Sequence, residues 1–433
     1  MKKTVIALGL CLAAGSAAAQ SIEGSNVQVY GAIDIGVGHS QYSLSQDSNF
    51  ATGITPVVSH YGAAGVTGMF NGGLGGSNFG FKGMEDLGGG LKATFKLEAG
   101  FNSFDGALNN GVASVADNPT TKQVTSNGDS SLAGQLFTRE ATVGLSSDNW
   151  GSVTFGRNNS LGYDALIAFD PMGGSYEFSP FGYSGSYGAG GFTEDYRPDN
   201  SIKYRLKLDG GFNLGALYKI GGQAGASSAQ SEFQATLGYS GGPFSIQGLY
   251  SRVNDAISAS NSAVQGDVAL TVADTTAYML SAAYAGNGWK ISGGYERMNF
   301  QNPSNPAADQ AITTIFGIPV AGTPSVTAYT IEKTLNIYYL GGTYNFTPAA
   351  SVTVAGYDVK QNDYSGGLCT VSDTASAKCD GSNTYYSLMG QYKFSKRTQV
   401  YAGYMYSKVE GGYSAGYLHD SNNFFGLGLR HTF

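Results

Sequence analysis

From Leu91 to Ala99 apolar and polar side chains alternate without a break. Leu91, Ala93, Phe95, Leu97 and Ala99 take one parity, and Lys92, Thr94, Lys96 and Glu98 take the other. A period of two marks an extended strand with one apolar and one wet face. Ser201 to Leu208 repeats the pattern, with Ile202, Tyr204, Leu206 and Leu208 set against Lys203, Arg205 and Lys207. Sixteen segments of this kind are predicted, near residues 27–37, 76–86, 90–100, 135–147, 150–158, 199–208, 211–220, 232–240, 243–253, 275–285, 288–298, 334–346, 350–361, 384–394, 398–409 and 421–433. Their connectors alternate in length. Asp209-Gly210, Gly241-Gly242, Gly286-Asn287, Thr347-Pro348 and Ser395-Lys396-Arg397 are tight turns, whereas 38–75, 101–134, 159–198, 299–333 and 362–383 are long. One such strand fits a soluble sandwich or a barrel in lipid equally well. An even number of strands of about ten residues, joined alternately by short turns and long loops, favours a closed antiparallel transmembrane β-barrel. Two positions break the register: Arg139 shares parity with Ala141, Val143 and Leu145, and Arg157 with Val153 and Phe155. Either the strands bulge there or those faces do not meet lipid.

The start of the chain adds a compartment. Lys2 and Lys3 precede an apolar run from Val5 to Ala14 and the small residues Ala17, Ala18 and Ala19, which reads as a signal peptide cleaved after Ala19. Residues 20–433 then form a single barrel domain, expected in the outer membrane. No later run of about 18 apolar residues could span a membrane as a helix. Charged residues make up only 13% of the chain and aromatic residues 12%, with 29 Tyr among them. Soluble domains carry about 25% charged residues, so this balance suits strands facing lipid with aromatic girdles at their ends. The formal charge is −7, and −9 once Lys2 and Lys3 leave with the signal peptide. An acidic chain lacks the basic face that a phosphate backbone needs, so no nucleic-acid partner is expected. Cys369 and Cys379 are the cysteines left after cleavage, and in an exported protein they point to one loop disulfide. No His lies beside them, and no metal or cofactor is expected.

Five stretches in order, SNVQVYGAIDIGVGH, SNFGFKGMEDLGGGLKATFKLE, LFTREATVGLSSDNWGSVTFGRN, RPDNSIKY and the ending FFGLGLRHTF, resemble the Gram-negative general porins of the proteobacterial type across nearly all of the mature chain. The resemblance implies a homotrimer of sixteen-stranded barrels in the outer membrane, each a water-filled channel narrowed by a third external loop folded into the lumen. Small hydrophilic solutes and ions would diffuse through it. Outer-membrane lipids, lipopolysaccharide and the assembly machinery would be its partners, with the terminal Phe433 as the signal that machinery reads. The chain departs from the family's pattern twice. Asn78 stands where a basic residue is usual, and Asp170 to Pro180 reads DPMGGSYEFSP in place of a loop with Pro-Glu-Phe-Gly-Gly. Both departures are expected to alter the charge or width of the constriction.

Selectivity in such a channel comes from bore and wall charge. Lys203, Arg205 and Lys207 must face water, since charge toward lipid costs a few kcal/mol at mid-membrane, and Lys82, Lys92 and Lys96 face the same way. Residues 159–196 contain Asp164, Asp170, Glu177, Glu194 and Asp195 and no Lys or Arg. The expected constriction sets Lys82, Arg139, Arg157 and Arg197 against Asp164, Asp170 and Glu177. The competing reading is that these acids solvate an external loop or bind divalent ions bridging lipopolysaccharide. Tyr239, Tyr250, Tyr284, Trp289, Tyr404 and Tyr406 lie on lipid-facing parities and are expected in the girdles. An inward aromatic such as Tyr401 leaves open a channel specific for a sugar, and the basic row one specific for an anion. Enzymatic activity is not expected: His419, Asp420 and Ser421 are consecutive, so they alternate faces and cannot assemble a triad among themselves.

Overall fold

The alternating segments become the staves of one antiparallel sheet. In chain order they are β1 (Ser25–Ser43), β2 (Ala64–Asn71 continued by Asn78–Gly88), β3 (Leu91–Gly100), β4 (Glu140–Ser147), β5 (Gly151–Arg157), β6 (Ser201–Lys207), β7 (Phe212–Lys219) and β8 (Glu232–Gly241). They continue as β9 (Phe244–Val253), β10 (Asp274–Gly286), β11 (Trp289–Gln301), β12 (Lys333–Asn345), β13 (Ala350–Gln361), β14 (Gly381–Lys393), β15 (Thr398–Gly411) and β16 (Ser421–Thr432). The computed structural model describes residues 25–43, 64–106, 108, 136–183, 197–221, 227–255, 257–259, 270–272, 274–302, 304, 314–315, 318–319, 331–364, 380–411 and 421–433. Residues 1–19, Glu194, Asp195, Cys369 and Cys379 lie outside them.

Seventeen stretches of strand make sixteen staves, because the two parts of β2 run in one direction along the same edge of β1. Ile35 lies opposite Asn71 of the first part, and Ala32 opposite Asn78 of the second. Each stave pairs with the next, and β16 pairs back onto β1 with Ile35 opposite Leu429. The ring is therefore a closed sixteen-stranded barrel with no free edge, which backbone in lipid requires. The seam ends on Phe433, whose N–H donates to Gly31 O at 3.0 Å and whose carbonyl accepts from Gly31 N at 3.2 Å. Seven short turns gather at one end, the periplasmic end of a barrel of this kind, and the long loops at the other.

Several strands outrun their predicted limits outward. β1 continues to Ser43, and the first part of β2 lies inside the 38–75 segment assigned to a loop. Pairs such as Ser40 with Val66 and Gln41 with Gly65 keep the backbone ladder beyond the lipid. No apolar face is needed there, so the period of two disappears from the sequence while the strand persists.

The outward face is not uniform. Tyr218, Tyr278, Tyr338, Tyr386 and Tyr404 stand exposed on β7–β15, and Tyr284 stacks on Trp289 near the turns at 5.4 Å. The outward parity of β1–β5 carries Val27, Val29, Ile33, Met69, Val143 and Phe155 and has no Tyr or Trp on its strands.

The inward face divides as well. On β2, β3, β4 and β6 it is charged, whereas on β7–β16 it includes buried Leu217, Met279, Ile337, Tyr357, Tyr401 and Met405. An apolar floor of this kind is stable only when covered. The cover is the β5–β6 connector, the third long loop, which contains α1 (Leu161–Phe169) and α2 (Pro180–Tyr183) and folds into the lumen.

Candidate functional site

The loop leaves β5 through Gly156, at φ +124°, a conformation that favours glycine. Ser160 then caps α1, its Oγ accepting from Tyr163 N at 3.0 Å. Leu161, Ala165, Leu166 and Phe169 recur at helical spacing and are buried against the apolar wall, which turns Tyr163 and Asp164 toward the basic side. Beyond the helix, Phe178 is fully buried between Tyr401 and Phe424, with ring centroids 6.2 and 5.8 Å away. A Cβ on Gly403 would come within 2.6 Å of the Phe178 ring, so the wall must be bare at that point. Phe181 packs edge-on against Tyr339 and Tyr357 at 5.1 and 5.6 Å.

Facing the loop is a continuous polar network. Tyr30 on β1 donates to Glu98 Oε2 at 2.7 Å, with the ammonium groups of Lys82 and Lys96 5.0 and 5.9 Å from its ring centre. Lys96 Nζ lies 2.6 Å from Glu140 and 3.3 Å from Glu98. Asn159 Nδ2 donates to Glu140 at 3.2 Å, and its carbonyl accepts from Lys203 Nζ at 2.7 Å. Lys203 also lies 2.5 Å from Asp164 Oδ2, and Arg205 donates to that same oxygen. Arg139 pairs with Glu98 and reaches Tyr176 on the loop at 3.4 Å, while Arg197 covers the Tyr163 ring at 5.1 Å. Burial pushes the Tyr176 hydroxyl up, but the guanidinium groups of Arg139 and Arg197 outweigh it and bring the group down to about 8. Burial, reinforced by Asp34, pushes the Glu177 carboxyl up to about 7.

The sequence-selected residues therefore divide. Lys82, Lys96, Arg139, Arg197, Lys203, Arg205 and Asp164 belong to the facing surfaces of wall and loop, whereas Glu177 lies near Asp34 and Tyr401 at the seam. Lys92 lies on the inward parity toward the periplasmic turn, opposite Asp86 and Ser146. The register conflict at Arg139 resolves because β4 begins only at Glu140, after a bend, so strand parity does not govern it. Arg157 ends β5; its Nη1 lies 2.7 Å from Asp199 and its Nε donates to Thr138 O at 2.8 Å, which places it in a pairing of loop bases.

Asp170 differs from the expectation most clearly. It is 2% exposed, accepting from Tyr357 OH at 2.6 Å, Gly174 N at 2.6 Å and Met172 N at 3.2 Å. Burial raises its carboxyl above the usual range, against the opposing pull of these donors. Its carboxylate fastens the loop to β13 and presents nothing to a solute. Asn78 is likewise buried, its amide donating to Gly76 O at 2.9 Å inside the break in β2.

One cluster escaped the sequence reading. Asp34 on β1 is fully buried, and its carboxylate accepts from Tyr401 OH at 2.5 Å, Leu74 N at 3.0 Å and Gly75 N at 3.2 Å, with Arg430 Nη1 3.2 Å away. The Asp34 N–H donates to Ser77 Oγ at 2.9 Å. The inward parity of Asp34 and Arg430 was the available signal, but nothing in the sequence says that their strands adjoin.

The profile of the Gram-negative porin family matches residues 4–412 of the chain. The chain belongs to that family. This porin is 28% identical over 451 aligned positions to an outer membrane porin protein of Bordetella pertussis, covering 100% of both chains. Its fold is similar to that of an anion-selective porin from Comamonas acidovorans, with TM-score 0.64 and 20% identity over 94% of this chain and 100% of that one. It is also similar to the outer membrane protein OmpT of Vibrio cholerae in a trimer form, with TM-score 0.55 and 14% identity over 95% of this chain and 100% of that one. The porin is thus an outer-membrane channel for hydrophilic solutes.

Proposed function

We propose that this porin is a general diffusion channel whose narrowest section carries a transverse field. Asp164 on the loop faces Lys203 and Arg205 of β6, with Lys82, Lys96 and Arg139 beside them on the wall and Arg197 on the returning arm of the loop. The observation carrying this reading is that Asp164, on α1, reaches across to both Lys203 and Arg205 of β6. Charge of opposite sign on two sides of a low-dielectric cleft focuses field lines, favouring polar solutes over apolar ones. The six cations exceed the carboxylates beside them, Glu98, Glu140 and Asp164, so the channel passes anions in preference to cations. A channel specific for sugars, lined by inward aromatics, is disfavoured because Tyr401 is 1% exposed beneath the loop.

The reversal potential across a bilayer in a KCl gradient tests this. A unit charge about 5 Å from a passing ion, in water and screened over roughly 10 Å at 0.1 M salt, is worth about 0.5 kcal/mol. The sign is opposite for K+ and Cl−, so D164N should raise the Cl−/K+ permeability ratio about fivefold. K203Q/R205Q should lower it. Unchanged ratios in both variants would remove the field from the account.

The same reading includes a homotrimer that meets through β1–β5, supported by the absence of interfacial Tyr and Trp from the outward faces of those strands. Lipopolysaccharide phosphates are the proposed partners of Arg297, Lys360 and Lys408, which lie on the outward parity of β11, β13 and β15 near the loop end. The leader at 1–19, the Cys369–Cys379 disulfide and recognition of Phe433 by the assembly machinery complete the proposal, together with the absence of any catalysed reaction. His39 and His431 hydrogen-bond Thr67 and Thr398 at opposite ends of the barrel, far from any common site.

A further inference from the structure

A second concentration of charge lies at the end bearing the short turns. Lys393 pairs across the sheet with Gln399, Gln399 with Arg430, and Arg430 with Asp34, so one inward row joins β14, β15, β16 and β1. The β14–β15 turn adds Lys396 and Arg397, held in place by Ser395 Oγ, which accepts from Arg397 N at 3.1 Å and Thr398 N at 3.0 Å. These residues enclose a hollow of about 300 Å³ with four cations and no carboxylate in its lining. Among the described residues no acidic partner lies within ion-pair distance of Lys393, Lys396 or Arg397. Arg430 spends only Nη1 on Asp34 and Gly75 O, which leaves the rest of its guanidinium toward the hollow.

Lys393, Lys396 and Arg397, gathered beside an Arg430 already paired with Asp34, repel one another, and a bound anion relieves that repulsion. Two planar guanidinium forks and two mobile ammonium groups suit an anion with several oxygens spread over more than one centre. The volume is at the lower end for small-molecule sites, enough for a compact polyanion. We propose that the periplasmic mouth of this channel is a binding site for small multivalent oxyanions, bearing phosphate or carboxylate groups, that enter or leave through the pore. The site is separate from the loop constriction: it is built by the β14–β15 turn and the end of β16, with Arg430 as its innermost member.

The test is calorimetric titration of the purified full-length protein with pyrophosphate at low salt. K396Q/R397Q should weaken binding roughly tenfold or more, through loss of two charge-assisted contacts. K203Q/R205Q at the constriction should leave it within about twofold, since at that separation screened charges interact weakly. Far-UV circular dichroism checks that K396Q/R397Q keeps its strand content, and K393Q serves as a second variant if it does not. Unchanged binding in both mouth variants, or binding lost in K203Q/R205Q, overturns the proposal. Because lipid phosphates could occupy the same cations, the titration is repeated in nanodiscs of phosphatidylcholine with and without phosphatidylglycerol. Equal affinity in the two assigns the site to solutes, and loss in the anionic discs assigns it to headgroups and overturns the proposal. Failure of the constriction reading would appear in the reversal potential of D164N and leave this titration unchanged.

Discussion

Replacing Asp170 by Ala separates an anchoring carboxylate from one that acts on ions. The side chain accepts from Tyr357 OH, Gly174 N and Met172 N in a site that is 2% exposed. A buried donor left without its acceptor costs about 1–3 kcal/mol, so three of them sum to roughly 3–9 kcal/mol, an upper limit because water can enter the vacated space. The apolar fastenings of this part of the loop include Phe178 and Phe181, both buried, at about 1.5–3 kcal/mol each. The carboxylate therefore rivals the two aromatic anchors together, and D170A should unseat residues 170–183. D170N is the graded control: its amide still accepts from Tyr357 but turns an N–H toward the Gly174 donor, and its effect should be smaller. Hydrogen exchange of the loop peptides in detergent should show lost protection, and single channels should show higher, noisier conductance. Y357F should reproduce part of the effect and be non-additive with D170A, since the two share one hydrogen bond. Wild-type protection and conductance in D170A, accompanied by a shifted reversal potential, would refute the anchoring role.

Three further outcomes follow from the same geometry. Glu177 has a folded value raised to about 7, so the docked loop favours its protonated form; that contribution is full below the ordinary carboxylate range and is lost as pH rises through 7. Anion preference should accordingly increase as pH falls across that value, and E177Q should abolish the dependence in reversal-potential measurements. F178A removes a fully buried ring and should cost about 3–5 kcal/mol, read as a lower unfolding temperature of the barrel in detergent. Deleting Phe433 removes the two backbone bonds to Gly31 that finish the seam, worth roughly 1–3 kcal/mol, along with an exposed terminal ring. The yield of folded protein in the outer membrane should fall while the conductance of what does assemble is unchanged, and a normal yield would count against the ring as an assembly signal.

The barrel was readable because lipid imposes a period of two on one face of every stave. Where that demand stops, as at Ser40 to Ser43 and Ala64 to Met69, the strands became invisible even though the ladder continues. The basic row Lys203, Arg205 was legible from the same alternation, and so was the acidic character of the loop. What each acid does was not. Asp164 and Asp170 are six residues apart in one acidic loop, yet one reaches across to β6 and the other is buried against Tyr357. That difference depends on the apolar floor from Leu217 to Met405, whose inward parity only makes sense once a covering loop is known. The Arg139 and Arg157 conflicts were real signals of strand ends, which parity alone cannot tell from bulges.

The seam between β1 and β16 carries a further meaning through Asp34. Tyr401 and Arg430 reach that carboxylate from β15 and β16, Phe178 of the loop rests on the Tyr401 ring, and Ser175 bonds to Gly73 O beside it. This seat exists only after the last stave has met the first. A half-zipped barrel lacks this part of the seat, so the Phe178 end of the loop is fastened only when the wall is sealed. Closure of the wall and the final fastening of the constricting loop thus share one carboxylate, and loosening either loosens the other.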